Sequence, residues 1–181
     1  MNGTRTLSVY ERVTSAYNPG AVRGDWSAHT TPYLSYTLTS NSKTANIKAE
    51  EKRYGNTGWI GLAQVWVSGG HITRAQIKLN TWYDAWYPWL TDPDKKRSVY
   101  CMEFGHVLGL DHNNDGATGG TPDDTCMNED RWEPRPNAHD DEQLDALYAH
   151  SDDGSASSNR SKERGPFTIH VYPAPGLRFF K

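Results

Sequence analysis

Cysteine is scarce in this 181-residue chain, which has only Cys101 and Cys126. Two cysteines exclude a densely stapled miniature scaffold and are compatible with one disulfide or two thiols. Long apolar runs are missing as well. No stretch of the sequence approaches the ~18 apolar residues of a membrane span. Met1-Asn2-Gly3-Thr4-Arg5 has no apolar core, so no signal peptide is expected in the chain as written. Net charge is −3, from 19 basic and 22 acidic side chains. That near balance excludes a broad basic field, so neither nucleic acid nor a membrane is an expected partner. No internal repeat is visible, and no Gly-x-Ser-x-Gly occurs, which removes the usual nucleophile elbow of a serine hydrolase.

Apolar residues make up 35% of the chain, below the roughly 45–50% (Gly included) of globular domains. Aromatics offset part of the deficit, with 7 Trp, 10 Tyr and 4 Phe. Trp82, Tyr83, Trp86, Tyr87 and Trp89 fall close together. Such a cluster either packs beneath a helix or offers a stacking platform for a sugar or peptide side chain. The length suits one domain with a tail.

The first half of the chain reads as strands. Leu7–Val13, Tyr33–Thr39 and Ile72–Leu79 alternate or are rich in β-branched and aromatic residues. Trp59–Val67 is an apolar run, read as a buried strand, and Ile47–Tyr54 is polar enough to suggest an edge. Ala21–His29 is a candidate short helix. The second half is helical. Asp92-Pro93 is a helix start, and Gly109 is placed to end that helix after Leu108. Ala138–His150 repeats apolar residues at Leu144, Leu147 and Tyr148, with Asn137 as N-cap. Asn113–Asp124 is a loop, and Ser151–Gly165 reads as a mobile polar linker. Phe167–Lys181 is either a docked strand or a loose end. The expected architecture is α/β: a twisted mixed sheet from residues 7–80 over one helix, with a C-terminal helix below, in a domain of residues 1–150 followed by a tail of residues 151–181.

Residues 101–112 read Cys-Met-Glu-Phe-Gly-His-Val-Leu-Gly-Leu-Asp-His. Met102 and His106, four apart on a helix, share a face, with Glu103 beside them. Gly109 lets the chain leave the helix so that His112 can return to the same point. Two imidazoles and a carboxylate around one point suit Zn²⁺ with a general base. Asp115, Asp123 and Asp124 form an acidic loop, a candidate Ca²⁺ site without a recognised loop pattern. His71 and His139 are lone histidines and read as structural.

The segment resembles the zinc signature of metzincin metalloendopeptidases, His-Glu-x-x-His-x-x-Gly-x-x-His. Glu103, His106, Gly109 and His112 match in residue and spacing, and Thr125-Cys126-Met127-Asn128 resembles the Met-turn of that family. Gly55–Asp84 and Pro136–His150 are similar to bacterial secreted, matrixin-like members, so the resemblance spans roughly residues 7–150. It implies a zincin-type domain, with one departure: the family's first ligand is His, and Met102 stands there. A thioether is a poor Zn²⁺ ligand, so Met102 is expected to pack in the core rather than to ligate. The resemblance implies His106 and His112 as metal ligands, Glu103 as general base, Met127 as the floor of the site, and a disulfide between Cys101 and Cys126. It also implies secretion, a peptide or protein substrate and a monomer. The expected activity is zinc-dependent peptide-bond hydrolysis impaired by Met102; the alternative is an inactive peptide-binding protein on the same fold. An extended substrate is expected to pair with Trp59–Val67 or Ile72–Leu79, with a selectivity pocket walled by Met127–Asn137.

Overall fold

The computed structural model describes residues 5–29, 33–113, 124–129, 132–149 and 163–173. Its strands are β1 (Arg5–Arg12), β2 (Leu34–Leu38), β3 (Ile47–Lys52), β4 (Trp59–Ser68), β5 (His71–Asn80) and β6 (Arg164–Pro173). They form one six-stranded sheet in the order β2-β1-β3-β5-β4-β6. β2, β1, β3 and β5 run parallel. β4 runs antiparallel to both of its neighbours, β5 and β6. The helices are α1 (Pro19–His29), α2 (Pro93–Val107) and α3 (Ala138–Tyr148). The fold is therefore mixed α/β, as expected, and α3 ends two residues before the expected His150.

The edge expected for β3 is corrected: it lies between β1 and β5. Its polarity belongs to one face of the sheet and not to an edge. Ile47 and Ala49 point into the core, while Lys48 and Glu50 lie on the other face and pair with each other at 2.8 Å. The tail also differs from a simple linker. Residues 151–162 lie outside the described residues, but Arg164 and Gly165 already belong to β6, and Phe167 continues it as a docked strand.

α2 starts as its sequence predicts. Asp92 Oδ1 accepts from the N–H groups of Asp94 (2.9 Å) and Lys95 (3.3 Å), with Pro93 in the first turn. From Lys96 onward the helix is buried on all sides. Its polar residues therefore need partners. Lys96 Nζ donates to Asp84 Oδ2 at 2.7 Å and to Tyr17 Oη at 3.3 Å. Arg97 pairs with Asp25 of α1. Tyr100 Oη donates to Glu11 Oε1 at 2.6 Å, and Glu11 also pairs with Arg23. Burial first, then the Glu11 charge, raises the Tyr100 pKa and keeps its phenol a donor. Phe104 packs edge-on against Tyr100 (5.9 Å) and Tyr36 (5.4 Å), and Val99 belongs to the same core as the sheet residues Ala63, Ile77 and Leu79.

α3 begins in a capping box. Asn137 Oδ1 accepts from His139 N (2.9 Å) and Asp140 N (3.2 Å), and Asp140 Oδ2 accepts from Asn137 N (2.9 Å). Tyr148 Oη donates to Leu108 O at 2.8 Å and ties α3 to the end of α2.

At the end of β5, buried Asn80 gathers the loop that leads into β4. Its Nδ2 donates to Gly55 O (2.9 Å), Thr57 Oγ1 (2.8 Å) and Trp59 O (3.2 Å). Its Oδ1 accepts from Tyr54 N (2.9 Å) and Trp82 N (3.0 Å). Alanine there strands buried backbone groups. Asn80→Ala is expected to lower stability by about 3 kcal/mol, read as a lower urea midpoint at unchanged slope.

Candidate metal centre

Gly109 sets the geometry of the site. Its φ is +106°, a conformation that residues with a Cβ rarely adopt. Leu110 N donates to Gly105 O at 3.2 Å and Gly109 N to His106 O at 2.9 Å, the paired bonds of a Schellman ending. The same turn brings Leu110 O to 2.9 Å from His106 Nδ1. A carbonyl only accepts, so Nδ1 carries the hydrogen and Nε2 is the atom His106 would offer a metal.

His112 does return to the site. Its ring centroid is 4.8 Å from that of His106, with the planes at 76°. His112 Nδ1 lies 3.5 Å from Glu129 Oε2. Glu129 was not singled out from the sequence; its place two residues past Met127 was the only signal. Asn113 N donates to Met127 O at 2.9 Å and pins the returning chain to the Met-turn.

Glu103 is fully buried against β4. A Cβ on Gly61 would stand 2.4 Å from Glu103 Oε1 and 2.9 Å from Val99 Cγ1. Gly61 thus makes room for the carboxylate. Gly105 does the same on another side of α2, where a Cβ would meet Met127 Sδ at 2.4 Å and Trp26 Cζ2 at 2.8 Å. The Met127 side chain therefore packs directly on the helix beside His106. Its turn is held by Asn128 N donating to Thr125 O (3.2 Å) and Met127 N to Thr125 Oγ1 (3.1 Å). Thr125 Oγ1 in turn donates to Asp140 of α3.

Cys101 and Cys126 form a disulfide, with Cα atoms 5.9 Å apart. It joins α2 to the Met-turn. Met102 is fully buried and belongs to the hydrophobic core cluster.

The donor set does not fit a three-ligand zinc centre. It supplies two imidazoles, and the third position is a thioether. Among the described residues, no group of three or more His, Cys, Asp or Glu side chains is placed to hold a metal ion. For the expected calcium loop, Asp115 and Asp123 lie outside the described residues, and Asp124 is exposed.

The aromatic cluster divides. Tyr83 is buried, accepts from Gly58 N at 2.6 Å and donates to Asn56 Oδ1 at 2.9 Å. Trp89 meets Trp132 edge-on at 5.4 Å, and Trp86 is 64% exposed. His71 Nδ1 lies 3.0 Å from Gly69 O, and His139 Nε2 lies 2.9 Å from Gln143 Nε2; neither approaches the site residues in these bonds.

No family model matches the chain, and no curated protein does. Among solved structures, the chain is similar to one titled "Structure of myroilysin", at 11% identity, covering 81% of this chain and 94% of that one, with a TM-score of 0.46.

Two outcomes follow from this packing. Glycine to alanine inside a helix normally stabilises by ~1 kcal/mol. Gly105→Ala is expected to reverse that sign and cost about 2 kcal/mol, because Met127 and rigid Trp26 must move. Thermal unfolding of the two proteins measures it. Opening the disulfide, which spans 25 residues, is expected to cost about 3–4 kcal/mol by the chain-entropy estimate. Denaturant midpoints of the Cys101→Ser/Cys126→Ser chain test this. Intact mass after alkylation without reductant should show no modified cysteine.

Proposed function

We propose that this chain is a metzincin-type peptidase domain whose zinc centre is reduced by Met102 to two imidazole ligands, so that as written it holds zinc weakly and hydrolyses peptide bonds poorly. The observation that supports this best is the pairing of His106 and His112, with ring centroids 4.8 Å apart and His106 Nδ1 held by the Leu110 carbonyl at 2.9 Å. Glu103 adjoins them in sequence and is held in a recess that Gly61 leaves open. Histidines oriented through Nδ1 are typical of metal ligands. Core histidines satisfied in other ways have no need of such a pairing.

Catalytic zinc needs three protein ligands and an open position. Two imidazoles and a buried thioether fall short, and no hydrolytic step is assigned to the chain as written. In a chain with the ligand set completed, Glu103 is the general base for the attacking water. The substrate class is peptide or protein. The disulfide favours an oxidising compartment, outside the cytosol. No helix of the described residues is long and apolar enough to cross a membrane. The second reading, a peptide binder that no longer cuts, is favoured by the full burial of Met102.

Met102→His decides between them. Position 102 lies one helical turn before His106, on the same face. The substitution is expected to raise bound zinc to about one ion per chain and to give chelator-sensitive caseinolysis. The unchanged chain should be at least ~100-fold less active, since losing an inner ligand exceeds the ~10–100-fold of an outer-shell loss. Strong chelator-sensitive proteolysis by the unchanged chain would defeat the proposal. A Met102→His chain that binds zinc tightly yet cuts nothing would favour the binder.

A further inference from the structure

β4 is the strand that adjoins Glu103, through Gly61. One side of β4 pairs with β5, and the other would be the natural line for an extended peptide to join the sheet. The chain's own strand β6 holds that line. It runs antiparallel to β4 from Arg164 opposite Val67 to Pro173 opposite Trp59, and it passes Gly61 at Tyr172. β5, the other strand on which a substrate is expected from the sequence, is interior.

We propose that β6 is a displaceable occupant, in cis, of a peptide-binding edge on β4, and that residues 164–173 regulate access to the Glu103 side of the site. Its effect on catalysis rests on the function proposed above; its docking does not.

β6 joins β4 through main-chain pairing along its length, as a bound peptide would. The side chains of residues 163–169 are exposed, including Phe167 and Ile169 at 46% and 42%. This part of the strand gains little from the core. Its pairing with β4 breaks register at three places, whereas the β4–β5 pairing does so at one. Pro166 and Pro173 lack the donor that an interior strand needs. The side-chain ties of residues 163–169 are exposed: Gln64 Nε2 donates to Thr168 Oγ1 (3.1 Å), and Glu163 accepts from Thr73 (2.7 Å) and Arg74 (3.3 Å). The fit is nonetheless specific, since a Cβ on Gly165 would meet Val65 O at 2.7 Å.

The test uses the full chain and a fluorescein-labelled synthetic peptide of residues 163–173. Thr168→Pro/Ile169→Pro removes two successive N–H groups. They point to opposite sides of a strand, so one of them faces β4. The double variant should bind the labelled peptide, by anisotropy, at least about tenfold more tightly than the unchanged chain, because its own strand no longer competes. Equal affinity for both chains, or binding to neither, overturns the proposal. Hydrogen exchange on the unchanged chain provides an arm free of mutation. Excess unlabelled peptide should speed exchange in residues 164–173 while residues 59–68 stay protected. No change in residues 164–173 overturns displacement. Neither readout needs zinc or hydrolysis, so failure of Met102→His leaves this result intact, and the reverse also holds.

Discussion

The left-handed turn at Gly109 is the constraint on which the site depends. A helix that continued past Leu108 would carry Leu110 and His112 away along its axis, at ~1.5 Å per residue. Ending it there does three things at once. Gly105 and His106 carbonyls receive donors from Leu110 and Gly109. The Leu110 carbonyl is delivered to His106 Nδ1. His112 is brought back to the His106 ring. A side chain on residue 109 would strain the backbone at its φ of +106°, although its Cβ would only touch Leu147 of α3 at an ordinary 3.5 Å. The cap and the imidazole orientation therefore share one residue.

The buried surroundings of α2 impose a second condition. A helix enclosed on all sides cannot leave charges unmatched. Its first turns carry Lys96, Arg97 and Tyr100, and each reaches a different part of the chain: Asp84, Asp25 and Glu11. Its last turns carry Glu103 and His106 and come close to β4 and to Met127, with Gly61 on the strand and Gly105 on the helix leaving the space. The same helix is thus fixed by polar pairs at one end and by close steric approach at the other. Only the second end has the geometry of a site. Met102 fits the core without polar demands and suits a helix interior.

What was legible in the sequence was local. Asp92-Pro93, Gly109 and Asn137 mark their helix ends through bonds to residues within a turn or so, and all three act in the structure as their types dictate. Strands β1, β2, β4 and β5 were legible from alternation or apolar runs. The pairing of Cys101 with Cys126 followed from the resemblance and is present. What was not legible depends on distant partners. The polarity of Lys48, Glu50 and Glu51 is the same whether β3 is an edge or has one face in solvent; only its neighbours decide. Gly61 and Gly105 look like ordinary glycines until Glu103 and Met127 are set against them. Glu129 and the Asn80 hub are single polar residues whose partners lie elsewhere in the fold. β6 alternates at Phe167, Ile169 and Val171, but its two prolines and the polar stretch before it left a docked strand and a loose end equally open in the sequence.

The disulfide has a consequence of another kind. Cys101 and Cys126 close a covalent ring that contains Glu103, His106 and His112. One backbone cut anywhere from residue 102 to residue 125 leaves a two-chain molecule, not two fragments. Both new ends stay tethered: α2 as far as Cys101 on one side, the Met-turn and α3 on the other. A nicked protein therefore runs as a single species without reductant and as two pieces with it. The ring converts damage at the centre of the molecule from loss of chain into loss of loop closure, which costs entropy but no covalent connection.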